Sequence, residues 1–172
     1  MLEDNKIIAK DVIDLALGYG TEQVSVSLAK AISFQVDVRE KKIESLQESG
    51  SSGIHITISK NNRRSTVSSN DFREETLAPL IRSSLEALPY MGEDKFYTLP
   101  DPALQGRAPG DLEFLDPDYS KLSSGEKVKI SLNLEALSLN TDQRLKTDQS
   151  FYSDSKSYVV HADSNGFLEG ET

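Results

Sequence analysis

The chain has 172 residues, 37% of them hydrophobic, no cysteine and a net charge of −9, which suits one folded domain or two small subdomains sharing a core. The absence of cysteine excludes a disulfide scaffold, zinc–cysteine centres and thiol catalysis, and fits a reducing cytosol. An acidic surface repels phosphate backbones, so direct nucleic-acid binding is disfavoured.

The charge is uneven. Met1 to Arg64 holds 9 basic and 9 acidic residues, and the remainder holds 10 and 19. The N-terminus MLEDNKIIAKDVIDLAL mixes acids with its apolar residues, unlike a signal peptide. No apolar run approaches the length of a membrane span. A soluble, cytoplasmic protein with no membrane partner is expected.

Residues 3 to 17 place Ile7, Ile8, Val12, Ile13, Leu15 and Ala16 on one broad helical face, ended by Gly18 and Gly20. Val24, Val26 and Leu28 then alternate with polar residues, as do Ile32, Phe34, Val36 and Val38, which predicts two half-buried strands. Arg39 to Lys42 is a charged turn, and Lys42 to Glu48 a third strand. Ile43 and Leu46 are out of phase there, which suggests a bulge. Ser49 to Gly53 reads as a flexible turn leading into the strand Ile54 to Ile58. A phosphate cradle would lead into a helix instead. Asn61-Asn62 is a turn and Arg64 to Ser69 returns, completing a meander of about five strands.

Asp71 with Glu74 matches a capping box, and Leu77, Leu80, Ile81, Leu85 and Leu88 predict a helix over about 75 to 88. Pro79 conflicts with a start at Asp71. Residues 89 to 122 hold Pro89, Pro100, Pro102, Pro109 and Pro117 and read as a crossover. Ser123 with Glu126 is a second capping box. The alternation of Val128, Ile130, Leu132 and Leu134 also suits a strand, but the start signal favours a helix to Asn140. Two strands follow, about Arg144 to Asp154 and Ser157 to Ala162, joined at Asp154-Ser-Lys, and Ser164-Asn165-Gly166 is a hairpin turn. The expected class is α+β, an antiparallel sheet with helices packed on one face, in two small α/β lobes joined by the Pro-rich crossover. The pieces are 1–88, 89–122 and 123–172.

No chemistry announces itself. His55 and His161 lie in separate predicted strands, with no HExxH pair to present two imidazoles from one helix turn. His55 reads as a solvent-side residue and His161 as a structural or interface residue. Lys60-Asn-Asn-Arg63-Arg64 reads as a solvated hairpin tip, because no aromatic residue interleaves with it. DLEFLDPD, from Asp111 to Asp118, lacks the ligand alternation of a calcium loop. There is no G-x-S-x-G elbow. Catalytic, cofactor-binding and metal-binding residues are therefore not assigned.

The order of the pieces carries a resemblance. EQVSVSLAKAISFQVDVREKKIESLQESGSSGIHITI resembles the opening of the TldD/PmbA family, through Val24-Ser-Val26, Val38-Arg39, Lys42, Ile43 and Glu44. Gly50 to Ile54, Ser68-Ser-Asn-Asp71-Phe72, the DLEFLDPD linker and FYSDSKSYVVHADSNGF match further family motifs in order. Ser164-Asn165 stands transposed where the family commonly shows Asn-Ser. The Ser-Asn-Gly-Phe end is more similar to the PmbA (TldE) branch.

The resemblance implies an N-terminal region, with a β-rich C-terminal portion to follow, so the hairpin at the end of the chain is expected to continue in a longer protein. It implies a subunit of a peptidase complex that handles unfolded peptides, partnered by a TldD-like subunit or by itself as a dimer. Zinc is expected only in the TldD-like partner, so this chain carries no cofactor of its own. The polar residues Ser25, Ser27, Ser33, Gln35, Asp37, His161 and Asn165 become candidates for lining a substrate chamber or subunit interface. They equally suit any solvated sheet face. A stand-alone protein-binding domain working by edge-strand pairing, or a regulator of DNA gyrase, remain the alternatives.

Overall fold

The computed structural model describes residues 1–106, 112–146 and 149–172. Helix α1 (Leu2–Gly18) leads into β1 (Gln23–Arg39), β2 (Lys42–Lys60) and β3 (Arg63–Ser69). Helix α2 (Glu74–Ala87) follows, then a long connection, α3 (Ser124–Thr141), β4 (Ser150–Asp163) and β5 (Leu168–Glu171). The strands form one antiparallel sheet in the order β3-β2-β1-β4-β5. The protein is α+β, as the sequence predicts.

The sheet is built from fewer, longer strands than the sequence suggests. The two predicted strands of residues 24–38 are one 17-residue strand, and Ser49 to Gly53 runs inside the 19-residue β2 rather than turning. The chain does not turn there because the pairing with β1 continues, and Ser33 Oγ meets Ser49 Oγ across it at 2.8 Å. Likewise Asp154-Ser-Lys is no joint. Asp154 sits within continuous β4, where Lys127 fixes it. Arg144 to Lys146 precede that strand, and residues 147 and 148 of the predicted strand lie outside the described residues.

The β1–β2 and β2–β3 hairpin turns each have two central residues with positive φ, namely Glu40 and Lys41 (49° and 62°) and Asn61 and Asn62 (52° and 58°). This is the backbone that matches strand twist in two-residue loops. Asparagine tolerates it, whereas Glu and Lys bear a steric cost. Counting outward from the first turn, β2 has one residue more than β1 before the Ser45 hydroxyl reaches Asp37. That extra residue is the bulge predicted from Ile43 and Leu46.

The capping box expected at Asp71 is not made. The helix begins at Glu74 with Arg73 as its cap residue. Asp71 instead accepts from the Arg73 backbone N–H and guanidinium and from the Thr76 hydroxyl. Arg73 and Thr76 therefore hold its carboxyl well below the usual carboxylate range. Pro79 lies inside α2. The second box forms as predicted: Ser123 Oγ accepts from the Glu126 N–H, and the Glu126 carboxylate accepts from the Ser123 N–H at 2.7 Å.

Two compact units divide the chain, and they interleave instead of following each other along it. The first takes residues 1–30, 51–111 and 157–172, and the second 31–50 and 112–156. In the first, Ala9, Val12, Ile13 and Ala16 of α1 and Leu77 and Ile81 of α2 pack on Val24, Val26, Leu28, Ile54, Ile56, Ile58, Val160 and Ala162. Alternation along the strands turns every second side chain to this core. In the second, Phe34, Val36 and Val38 pack on Val128, Leu132 and Tyr152. No helix among the described residues is long and apolar enough to cross a membrane.

Candidate functional site

In the second unit, polar strand residues turn away from the α3 side, with exposed Phe151 in the same phase as Ser153 and Ser155. Ser33 and Gln35 of β1, Gln47 and Ser49 of β2, and Ser153 and Ser155 of β4 line a groove of about 400 Å³ with Phe34 and Asp154. The six Ser and Gln side chains are uncharged donors and acceptors in adjoining cross-strand rows. The Ser33–Ser49 pair crosses one row, and the Gln35 amide donates to Asp37 at 3.3 Å to both oxygens. Asp37 is buried, because Gln35 and the Ser45 hydroxyl cover its carboxylate. Such a surface offers hydrogen bonds to a polar backbone without selecting for charge.

Beneath the groove lies a charged cluster. The Lys127 ammonium sits 2.7 Å from Asp154 Oδ2 and over the rings of Phe34 and Tyr119, at 4.9 and 5.0 Å from their centroids. The Tyr152 hydroxyl donates to the same oxygen at 2.8 Å, and the Phe34 and Tyr152 rings meet edge to face. Burial first, then this carboxylate, push the Tyr152 phenol up to about 12. Asp154 Oδ1 is buried with no hydrogen-bond partner among the described residues. Buried Glu135 of α3 accepts from the Lys41 N–H at 2.7 Å and secures the first hairpin turn.

The first unit has its own polar face, carrying Ser25, Ser27, His55, Thr57 and His161 opposite the helices. His55 and His161 are both exposed. Asn165 donates from its side chain to the Pro100 carbonyl at 3.2 Å, while Gln23 donates to Thr98 and accepts from the Leu99 N–H. Gln105 donates to Asp163. Residues 94–105 thus form a strap across one end of this face. The basic tip anchors it: Arg63 donates to the Pro89 and Met91 carbonyls, and Arg64 stacks over Tyr97 at 4.7 Å and pairs with Asp94. Both arginines are engaged within the protein.

The structure therefore splits the sequence candidates. Ser33, Gln35 and Asp37 belong to the second unit, and Ser25, Ser27, His161 and Asn165 to the first. Gln47, Ser49, Ser153 and Ser155 were missed because two of the four fell in predicted turns or joints. The signal was present: Ser45, Gln47 and Ser49 share the phase of His55, Thr57 and Ser59. Among the described residues no group of three or more His, Asp or Glu side chains is placed to hold a metal. In the segment from Leu112 to Asp118 the Asp118 N–H donates to Asp116, while Asp111 lies outside the described residues.

Residues 24–88 match the family model for PmbA/TldA metallopeptidase domain 1. The chain is 21% identical to metalloprotease PmbA of Escherichia coli O157:H7 over 173 residues, covering 98% of this chain and 38% of that protein. It therefore spans well under half the length of this relative. A Bacteroides thetaiotaomicron protein described as a candidate modulator of DNA gyrase has a similar fold, with a TM-score of 0.85 and 24% identity over 98% of this chain and 38% of that one. TldE of Thermococcus kodakarensis matches with a TM-score of 0.78 and 14% identity over 95% and 36%. The family-model match, these relatives and the shared fold support a member of the PmbA/TldD family, and the chain is similar to PmbA and TldE.

Proposed function

We propose that this chain is part of a non-catalytic subunit of a two-component peptidase, in which a TldD-like partner carries the zinc and cuts the peptide. The Ser/Gln groove of the second unit handles the peptide. The observation that carries this reading is the set of adjoining rows of uncharged hydroxyl and amide side chains across three strands, in a chain similar to PmbA and TldE. Hydroxyls and amides bond to peptide N–H and C=O groups whatever the side chains, which suits a processing complex that accepts unfolded segments. The hydrolytic step is assigned to the partner.

Mixing the purified protein with a TldD-like subunit from the same cells tests this. The expected result is a complex that elutes ahead of either component and cleaves unfolded peptide until a chelator is added. Separate elution, with cleavage by the partner alone at the same rate, overturns it. Assaying DNA-gyrase-dependent supercoiling and peptide turnover in the same mixture separates this function from direct gyrase regulation.

A further inference from the structure

The chain has two histidines, and the fold sets both beside the same serine. The Ser164 N–H donates to the Val24 carbonyl at 2.9 Å, fixing the register of β4 on β1. Three residues onward from Val24 is Ser27, and three residues back from Ser164 is His161. On the other side of β1, the Ser59 hydroxyl donates to Gln23. Four residues onward from Gln23 is Ser27, and four back from Ser59 is His55. The buried sets Val24, Val26, Leu28, Ile54, Ile56, Ile58, Val160 and Ala162 confirm the phase, since all face the same core. The row continues outward to Ser68 on β3, paired with His55, and to Glu169 on β5, paired with His161.

We propose that His55 and His161 form a two-imidazole site for a divalent transition-metal ion of the zinc, nickel or copper class. Neighbouring strands are about 4.8 Å apart, so the two histidine backbones are separated by about 10 Å across β1. Both side chains stand off the same exposed face. An imidazole reaches a metal at about 2 Å from its nitrogen, so two rings leaning inward converge over the strand between them. The short Ser27 side chain leaves that space open, whereas a leucine there would fill it. Imidazole nitrogen suits these metals and not calcium or magnesium. Glu169, next to His161, is placed to accept the ring's second N–H and orient it, as carboxylates do behind metal-bound histidines. The described residues supply no third His, Asp or Glu at one point. The remaining coordination positions therefore go to water or to a donor from a bound molecule.

Calorimetric titration of the untagged protein with Zn²⁺ tests this. The site binds one ion per chain, and His55→Ala and His161→Ala each weaken binding at least tenfold. Ser27→Leu weakens it as well, while Ser25→Leu, one row away, does not. Because both histidines are exposed, the alanine variants retain the wild-type circular dichroism and melting curve. No measurable binding overturns the proposal. So does binding that either single histidine variant leaves unchanged, or two independent ions of which each variant removes one.

Discussion

Lys127 of α3 and Asp154 of β4 meet at 2.7 Å, with side chains only 9% and 15% exposed. Their charges are removed from most of the surrounding water, and each is held by the other. The pair joins the helix to the strand whose Ser153 and Ser155 line the groove. Lys127→Met leaves the Asp154 carboxylate buried and unpaired, which costs about 3 kcal/mol or more. Urea unfolding measures this. In Lys127→Met/Asp154→Leu both charges are gone, so the double variant is expected to recover most of the loss.

Tyr152 lies in the same cluster, where its hydroxyl donates to Asp154. Its phenol holds its proton up to about 12, against an ordinary value of 10.0, through burial and the Asp154 carboxylate. The folded value is raised, so its contribution to stability is complete below the ordinary value. That contribution is lost as pH climbs from there to about 12. Tyrosinate absorbance followed against pH is expected to show one tyrosine ionising late, and Tyr152→Phe to abolish that step.

The first hairpin turn holds Glu40 and Lys41 in the left-handed region. Replacing them with Asn and Gly supplies the residues that favour this turn and is expected to stabilise the protein by about 1 kcal/mol. The Lys41 N–H that Glu135 accepts is retained in the glycine variant. The same exchange at Asn61-Asn62 changes thermal stability much less, because asparagine already tolerates positive φ.

Ser123→Ala removes the acceptor for the Glu126 N–H at the start of α3 and is expected to cost about 1 kcal/mol, with Ser123→Asp close to wild type. The Ser123 hydrogen bonds also lower the pKa of the Glu126 carboxyl. That contribution is present above the usual carboxylate range and is lost as pH falls. The difference in melting temperature between wild type and Ser123→Ala therefore shrinks in acid.

Helix positions were legible in the sequence wherever side chains met the backbone locally. Ser123 and Glu126 marked α3 despite its strand-like alternation, and Gly20, with φ of 87°, followed the end of α1. Strand lengths were not legible, because Ser49 to Gly53 and Asp154 to Lys156 have the local composition of turns. Only pairing with β1 and the Lys127 contact keep them extended. Asp71 misled for a similar reason: the guanidinium of Arg73, two residues on, drew the carboxylate that a capping box would use. The groove shared this fate, since its Gln47, Ser49, Ser153 and Ser155 become neighbours of Ser33 and Gln35 only once the long strands align. The histidine row was hidden because Ser27, His55 and His161 are distant in sequence.

The most direct test of the central claim is the rate of unfolded-peptide cleavage by the TldD-like subunit mixed with this protein carrying Ser33→Leu/Ser155→Leu in the groove. The groove's hydroxyl rows are then replaced by bulk, while the Lys127–Asp154 pair beneath is untouched. A rise in KM of tenfold or more, with complex formation unchanged, is the expected result. Unaltered kinetics in an intact complex would contradict the assignment of this face to the peptide.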